Sequence, residues 1–567
     1  MCNAGGDIIV AFNGEIYNAP QFRRDLEARG VTFHGTSDTE VLLDLYESHG
    51  LDGLLARING MFAIFLCDLR RREIYLIRDR LGIKPLYYYR KDGTVLFGSE
   101  VKAFLACSEF DPRLAQDHLD EYLIWRYVSD DRHLLEDVHC VRPGEVIRFG
   151  QDHFEKREYW HIPVPSAAPP QSASEIADQT EQLVHDCVKR QLVSDVPVGC
   201  QLSGGVDSSL VTLMASKELS GSFHGVSILF DDPRFSEEPF IDQVSSTTPI
   251  DTHKCLMTSE YFADNLFDVT WFLDQPLGRP TYLANYLIAE EARRWMTVIL
   301  SGEGADELFG GYYSHSYAGC RLPAIPWPIS RLMKRLPQRI RSAVNQRFQT
   351  DCSGSKADWF MLLTATVGPK VLGGLRPGSD FQAALDVRRD IFADPGEDFV
   401  LSCMNYDMKT ILVDLLVGQD KMTMAHSIEN RVPYLDNEMI DFARGLSSRS
   451  LARYSFANTS KATKMPLKRV TDKHFGKAFA YRKKARLALE NHLRGYTLGS
   501  RFTELAEDLL LPRLRDRAVL EPNVIEAWWR ERSSIGQEEF AALWNALALE
   551  IWAQLFIDRG GRPAVSA

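Results

Sequence analysis

The stretch Leu202-Ser-Gly-Gly-Val-Asp-Ser-Ser209 constrains this chain more than any other. The apolar run Val196-Pro-Val-Gly-Cys-Gln201 before it reads as a buried strand, and Leu210-Val-Thr-Leu-Met-Ala215 after it reads as a helix. A strand that turns through glycines into a helix aims backbone N–H groups and the positive helix end at one point, where an anion is stabilised. Gly204 and Gly205 let the backbone approach a phosphate closely. Ser203, Ser208 and Ser209 add hydroxyl donors, and Asp207 can hold a Mg²⁺ that bridges phosphate oxygens. The Gly-Lys-Ser/Thr ending of a Walker-type loop is missing. An ordinary glycine turn at a strand end is the alternative, and the rest of the chain has to decide.

A second loop of the same kind lies downstream. The continuous apolar strand Met296-Thr-Val-Ile-Leu300 runs straight into Ser301-Gly-Glu-Gly-Ala-Asp-Glu-Leu-Phe-Gly-Gly311, whose carboxylates and glycines are hard to explain by packing. Between the two loops, Phe223 to Phe230 reads as a strand and Tyr282 to Trp295 as a helix. With the helix Glu175 to Leu192, this alternation predicts a doubly wound parallel sheet that binds ligands at its strand carboxyl ends. The last helix, with Phe540, Leu543, Trp544, Leu547, Ile551 and Leu555 at helical spacing, is expected to pack against that second domain.

The chain before residue 160 has a different rhythm. Asp7-Ile-Ile-Val-Ala-Phe12 reads as a strand ending in a turn at Asn13-Gly14. Helices are expected over 21–29 and 39–48, strands at Gly60–Leu66 and Glu73–Arg78, and a hairpin around Lys91-Asp-Gly93. This is a β-rich layer with helices against it, an α+β unit placed before an α/β one. The Pro, Ala and Ser of 163–174 read as a linker. The expected division is 1–160, a linker at 161–174, and 175–567 with a helical C-terminal part.

Composition narrows the partners. A net charge of −12 argues against binding nucleic acid through general basicity. No apolar run is long enough to span a bilayer, and the start carries no signal-peptide core. Ten scattered cysteines without a C-x-x-C pair read as reduced thiols in a cytoplasmic protein.

Four segments, in order, resemble the glutaminase domain of glutamine-hydrolysing asparagine synthetases: Phe12-Asn-Gly-Glu-Ile-Tyr-Asn18, Thr36-Ser-Asp-Thr-Glu40, Asn59-Gly-Met-Phe-Ala63 and Arg78-Asp-Arg-Leu-Gly-Ile-Lys-Pro-Leu-Tyr87. The resemblance implies an Ntn-type β-sandwich with helices, in which Asn13, Gly14, Glu15 and Asp38 bind glutamine. An amide and a backbone N–H stabilise an oxyanion there, and a carboxylate pairs the substrate ammonium. The family's nucleophile is an N-terminal cysteine. Cys2 lies only eleven positions before Asn13, and the Arg-Gly-Pro and Arg-Leu-Ser segments that the family places between them do not occur here. Cys2 is therefore expected to be a coincidence. The first segment of the glutaminase domain, with its nucleophile, is expected to be missing, and the ammonia is expected to be free ammonia.

The second half resembles the ATP pyrophosphatase domain of the same family. By that resemblance Leu202, Ser203, Gly204, Gly205, Asp207, Ser208, Ile228, Ser301 and Gly302 bind ATP, and Asp207 with Asp306 holds Mg²⁺ on the pyrophosphate. Glu303 organises amide formation as a base toward ammonia, and Lys464 in Thr463-Lys-Met-Pro-Leu-Lys-Arg469 neutralises charge on the leaving group. Gly418 and Arg279 depart from the family pattern, a cation being common at the first position and an acidic or small polar residue at the second. The implied reaction converts aspartate to asparagine through an acyl-adenylate, with ATP and Mg²⁺. The partners expected are small molecules (aspartate or another carboxylate, and ammonia or glutamine), with no nucleic acid or membrane and a homo-oligomer left open. The alternatives are amide synthesis on a glycan or natural-product carboxylate, and a non-catalytic nucleotide-binding pseudoenzyme.

Overall fold

The computed structural model describes residues 1–150, 154–163, 171–221, 223–230, 236–319, 355–392, 398–452, 463–482 and 488–558. Half of the expected linker, 164–170, lies outside the described residues, as do 231–235 and 483–487.

The first 160 residues build two antiparallel sheets. Strands β1 (Ile8–Ile16), β2 (Gly60–Asp68), β3 (Glu73–Arg78), β4 (Tyr87–Lys91), β5 (Thr94–Gly98), β6 (Val138–Cys140), β7 (Glu145–Phe149) and β8 (Phe154–Glu158) form one sheet in the order β1-β2-β3-β7-β8 and another in the order β5-β4-β6. Alternation along β2 places its two faces. Phe62, Ile64 and Leu66 pack under the helices Ala19–Glu27 and Asp38–Leu55, together with Ile8, Val10, Leu42 and Leu45. Ala63 and Phe65 turn the other way, into a cluster with Leu76, Tyr88 and Ile147 that joins the two sheets. Phe65 stacks on Phe97 at 4.5 Å across that joint.

One expectation is corrected here. Asn13 and Gly14 form no turn, because β1 runs through them to Ile16 and stays paired with β2, Gly14 opposite Phe62 and Ile16 opposite Gly60. The reason is close approach. A β-carbon on Gly14 would lie 2.0 Å from the Met61 carbonyl, and one on Gly60 would lie 2.2 Å from the Glu15 carbonyl. Asn-Gly here brings two strands together instead of reversing one.

Strands β9 (Val198–Gln201), β10 (Phe223–Phe230), β11 (Ile250–Met257), β12 (Val298–Leu300) and β13 (Glu429–Arg431) form the expected parallel sheet, in the order β11-β10-β9-β12-β13. Its two faces again follow alternation. Ile299 packs with Val226 and Ile288 of the helix Thr281–Ala292, whereas Val298 and Leu300 pack with residues of the helices Ala173–Gln191 and Val206–Glu218. Both faces are covered, which is why β12 reads as an unbroken apolar run.

The C-terminal helix Gln537–Phe556 also differs from expectation. Besides the second half of the chain, it packs on the first. The Tyr122 hydroxyl donates to the Asn545 carbonyl at 3.0 Å, and Asn545 Nδ2 donates to the Leu123 carbonyl at 2.9 Å. The helix Leu119–Trp125 is thus built into the helical body, and one apolar cluster runs across both halves. Among the described residues, no helix is long and apolar enough to cross a membrane.

Candidate active site

The strand order reverses between β9 and β12, so the chain leaves their carboxyl ends toward opposite faces and opens a crevice. The loop Leu202–Ser209 fills one side of it. The Ser227 hydroxyl donates to the Leu202 carbonyl at 2.5 Å, which ties the loop to β10 near Ile228. Gly204 has φ +69°, a left-handed conformation that favours glycine, and Gly205 caps the helix Val206–Glu218. Ser203 and Ser208 close the loop on itself, with hydroxyl oxygens 2.9 Å apart and the Ser203 N–H donating to Ser208 Oγ at 3.2 Å.

The acidic loop from β12 lies directly against this turn. A β-carbon on Gly302 would come within 3.0 Å of both Asp207 Cβ and the Ser208 nitrogen. Gly304 turns the chain with φ +84° into the short helix Ala305–Phe309. Asp207 and Asp306, from different strand ends, meet at Lys464. Its ammonium lies 2.6 Å from Asp207 Oδ2 and 2.7 Å from Asp306 Oδ1. Lys464 is buried and stands in a left-handed conformation at the start of the helix Met465–Phe475. Burial alone would pull its pKa down, but the two carboxylates outweigh that and hold it above the ordinary lysine value. Gly311 completes the close packing, since a β-carbon there would sit 1.8 Å from Asp306 Oδ1.

Sequence reasoning therefore named residues that the fold assembles: Leu202 to Ser208, Ser301 to Asp306, and Lys464, with Ile228 at the edge, in the apolar cluster under Thr281–Ala292. At the two loops, Asp207 Oδ1, Ser209 Oγ and Ser301 Oγ are buried with no hydrogen-bond partner among the described residues. A buried carboxylate oxygen without a donor is costly unless something fills the gap. This set fits a divalent cation and a phosphate chain.

Two residues were missed. Arg482 donates to the Gly204 carbonyl and, at 2.8 Å, to Glu237, while its guanidinium lies 3.7 Å over the Phe240 ring. It places a cation on the loop Leu202–Ser209 itself. The signal was the basic run Arg482-Lys-Lys484, which from sequence alone is indistinguishable from a solvated stretch. Glu307 is fully buried and accepts from the Tyr312 hydroxyl. Burial first, then the charges of Asp306 and Glu303, push its carboxyl up to about 8, so it is protonated at neutral pH. The sign follows. Between about pH 5 and 8 the folded protein keeps this proton and the unfolded chain releases it, so stability falls as pH rises. Glu307→Gln, which copies the neutral acid, should flatten that part of the fall, as read from urea midpoints at pH 5.5 and pH 8.

The residues expected to bind glutamine are also placed. Asn13 Nδ2 donates to Ser99 Oγ at 3.0 Å, and Asp38 accepts from the Ile16 N–H at 2.9 Å. Glu15 lies 3.5 Å from Arg431 of β13, and burial, partly offset by that arginine, raises its carboxyl to about 7. Arg431 in turn holds Glu429 at 2.6 Å and donates to the carbonyls of Gln191 and Val193. Cys2 is exposed and pairs with Ile9 across an antiparallel bridge.

The two departures from the family pattern are linked through Asp414 and Tyr282. Arg279 Nε donates to Asp414 Oδ2 at 2.5 Å, and the Tyr282 hydroxyl donates to the Asp414 carbonyl at 2.9 Å. A β-carbon on Gly418 would lie 2.2 Å from the Tyr282 ring. Glycine there admits the tyrosine, and a long cationic side chain would have to displace it.

The family model described as asparagine synthase matches residues 179–554, a span that contains both loops and Lys464. The chain belongs to the asparagine synthase family. A second family model, described as a glutamine amidotransferase domain, matches residues 1–160. Asparagine synthetase [glutamine-hydrolyzing] 1 of Bacillus subtilis is 32% identical over 445 residues, covering 76% of this chain and 69% of that protein. A putative asparagine synthetase [glutamine-hydrolyzing] 2 of Methanocaldococcus jannaschii is 33% identical over 312 residues, covering 54% of this chain and 60% of that protein. Amidase chry2 of Gibberella zeae is 27% identical over 496 residues, covering 80% of this chain and 73% of that protein. As a member of the asparagine synthase family, the chain is a ligase of the glutamine-hydrolysing asparagine synthase type, and its reaction is ATP-dependent amide synthesis.

Proposed function

We propose that this enzyme joins ammonia to the side-chain carboxylate of aspartate. The carboxylate oxygen attacks the α-phosphorus of ATP and pyrophosphate leaves. Ammonia then attacks the acyl carbon of the β-aspartyl-AMP, AMP leaves, and Glu303 accepts the proton released from nitrogen. The supporting observation is the meeting of Asp207, Asp306 and Lys464 between the two glycine loops. Asp207 and Asp306 would hold Mg²⁺, which when bound supplies charge neutralisation to the triphosphate. Leu202, Ser203, Gly204, Gly205, Ser208, Ser301 and Gly302 would orient the nucleotide through backbone groups and hydroxyls. Lys464 and Arg482 add fixed positive charge where the pyrophosphate leaves, and charge aimed at a developing anion lowers the barrier.

The position of Cys2 supports free ammonia as the nitrogen source. It pairs with Ile9, four residues before Asn13 on the same strand. At roughly 3.3 Å per residue the thiol stands about 13 Å from the oxyanion-binding amide, too far to attack a glutamine held there. Cys2 is then not the nucleophile for a glutamine held at Asn13, and free ammonia is the nitrogen donor proposed for the ligase half. The test is pyrophosphate release with ammonium or glutamine as nitrogen donor, over a panel of carboxylates. Aspartate with ammonium should be turned over, and glutamine should release no glutamate. Glutamate release lost in Cys2→Ala would overturn the nitrogen assignment, and turnover of another acid in place of aspartate would overturn the acceptor. The similarity to a protein named an amidase keeps a different carboxylate as the second reading.

A further inference from the structure

The parallel sheet carries a second cluster at the opposite ends of its strands. His224 is the second residue of β10, and His253 and Asp251 lie near the start of β11, with His224 registered opposite Asp251 and Val226 opposite His253. Along this face, Val226, Ile228 and Cys255 pack apolar against the helix Thr281–Ala292. Toward the strand starts the apolar residues give way to two imidazoles, a carboxylate and an indole. His224 Nδ1 and His253 Nε2 are 3.1 Å apart, and Asp251 Oδ2 lies 3.8 Å from the same His224 nitrogen. The three ligand atoms all fall within 4.8 Å of one another. Trp295 stacks face to face on His253 at 3.9 Å and leans on His224 at 5.1 Å, which fixes both ring planes.

We propose that His224, Asp251 and His253 bind a divalent transition-metal ion of the zinc type. Two ligands on one tetrahedral Zn²⁺, each about 2.0–2.1 Å from the ion, stand about 3.4 Å apart. The two measured separations bracket that value. Neutral imidazole nitrogens with one carboxylate favour Zn²⁺, Ni²⁺ or Cu²⁺ over Mg²⁺, which takes oxygen ligands. The partial exposure of both histidines leaves the fourth position to water. Packing alone would explain a His–Trp stack. A His224–His253 hydrogen bond and the Asp251 ion pair bring the three donor atoms together beside an exposed strand end, and a divalent ion would take the place of those contacts.

The site lies away from the nucleotide loops. His224 is four residues before Ile228 along β10, so about 13 Å of strand separates it from the ATP-binding edge. The ion would tie the starts of β10 and β11 to the turn that carries Trp295, and would stabilise the sheet without entering the reaction.

The test uses the whole chain with saturating Mg²⁺, which occupies the Asp207–Asp306 pair and leaves the histidine site open. Calorimetric titration with Zn²⁺ should give one ion per chain with a dissociation constant in the micromolar range or tighter. His224→Ala and His253→Ala should each weaken binding by at least about tenfold, and Asp251→Asn should weaken it as well. Co²⁺ should produce the visible absorption of a four-coordinate ion, lost in the same variants. Asp251 is exposed, so its variant keeps the test valid if a histidine variant fails to fold. Absence of Zn²⁺ binding overturns the proposal, as does binding that is equal in wild type and in all three variants.

Discussion

Asp207→Ala is expected to lower pyrophosphate release about 10³-fold or more while the chain stays folded. The carboxylate does two jobs at once. One oxygen holds Lys464 at 2.6 Å, and the other is buried without a hydrogen-bond partner among the described residues. Removing both oxygens would take away a proposed ligand for the cation and loosen the Lys464 ammonium proposed to face the leaving group. Lys464 keeps Asp306 at 2.7 Å, so the buried charge is not orphaned and the loss in stability should stay near about 1–3 kcal/mol. Measuring urea midpoints beside initial rates separates the two effects. Lys464→Met tests the other side of the contact. It leaves two carboxylates facing each other, and Mg²⁺ should then protect the variant against urea more strongly than it protects wild type. If Asp207→Ala keeps wild-type AMP formation, the site lies elsewhere.

Much of this was legible because local signals and the fold agreed. The strand–glycine–helix pattern at Leu202–Ser209 and the apolar strand before Ser301 place both loops at the edge where the strand order reverses. Alternation along β2 and β12 assigns their faces. What was not legible depends on contacts between distant segments. Asn13-Gly14 carries a turn composition, yet the carbonyl of Met61 on the neighbouring strand decides that both residues stay extended. The C-terminal helix shows its apolar stripe in sequence but not its partner, and only packing reveals that Asn545 bonds back to Leu123. Arg482 reads as one of several basic residues until the fold sets it on the Gly204 carbonyl. Glu307 looks like part of a solvated acidic loop, and its protonation follows from burial that no local pattern announces.

The second large effect is structural and lies where the two halves join. Asp274→Ala is expected to destabilise the protein by about 3–5 kcal/mol, read as a lower urea midpoint with catalytic residues untouched. Asp274 is buried in a left-handed turn after the helix Leu266–Leu273. Its carboxylate accepts from the Val101 N–H at 2.9 Å, from Lys102 Nζ at 2.9 Å and from the buried Lys421 ammonium. Its carbonyl accepts from Trp552 Nε1 at 3.1 Å. One residue thus ties the first 160 residues, the helix Ile411–Met424 and the C-terminal helix together. Burial would raise the carboxyl pKa, but Lys421 and Lys102 outweigh it and hold it below the ordinary carboxylate value. This stabilisation is therefore complete at neutral pH and fades as pH falls below the unfolded carboxyl's value of about 4, until the folded carboxylate takes up its own proton at still lower pH. Alanine leaves Lys421 buried with no carboxylate from this side, whereas Asp274→Asn loses the charge but keeps one acceptor oxygen, its amide NH2 replacing the other. The alanine variant should fall further than the asparagine variant at pH 7, and the gap between wild type and Asp274→Asn should shrink in acid. A gap that does not change with pH would mean that the hydrogen bonds to Val101 and Lys102, and not the buried charge, hold the halves together.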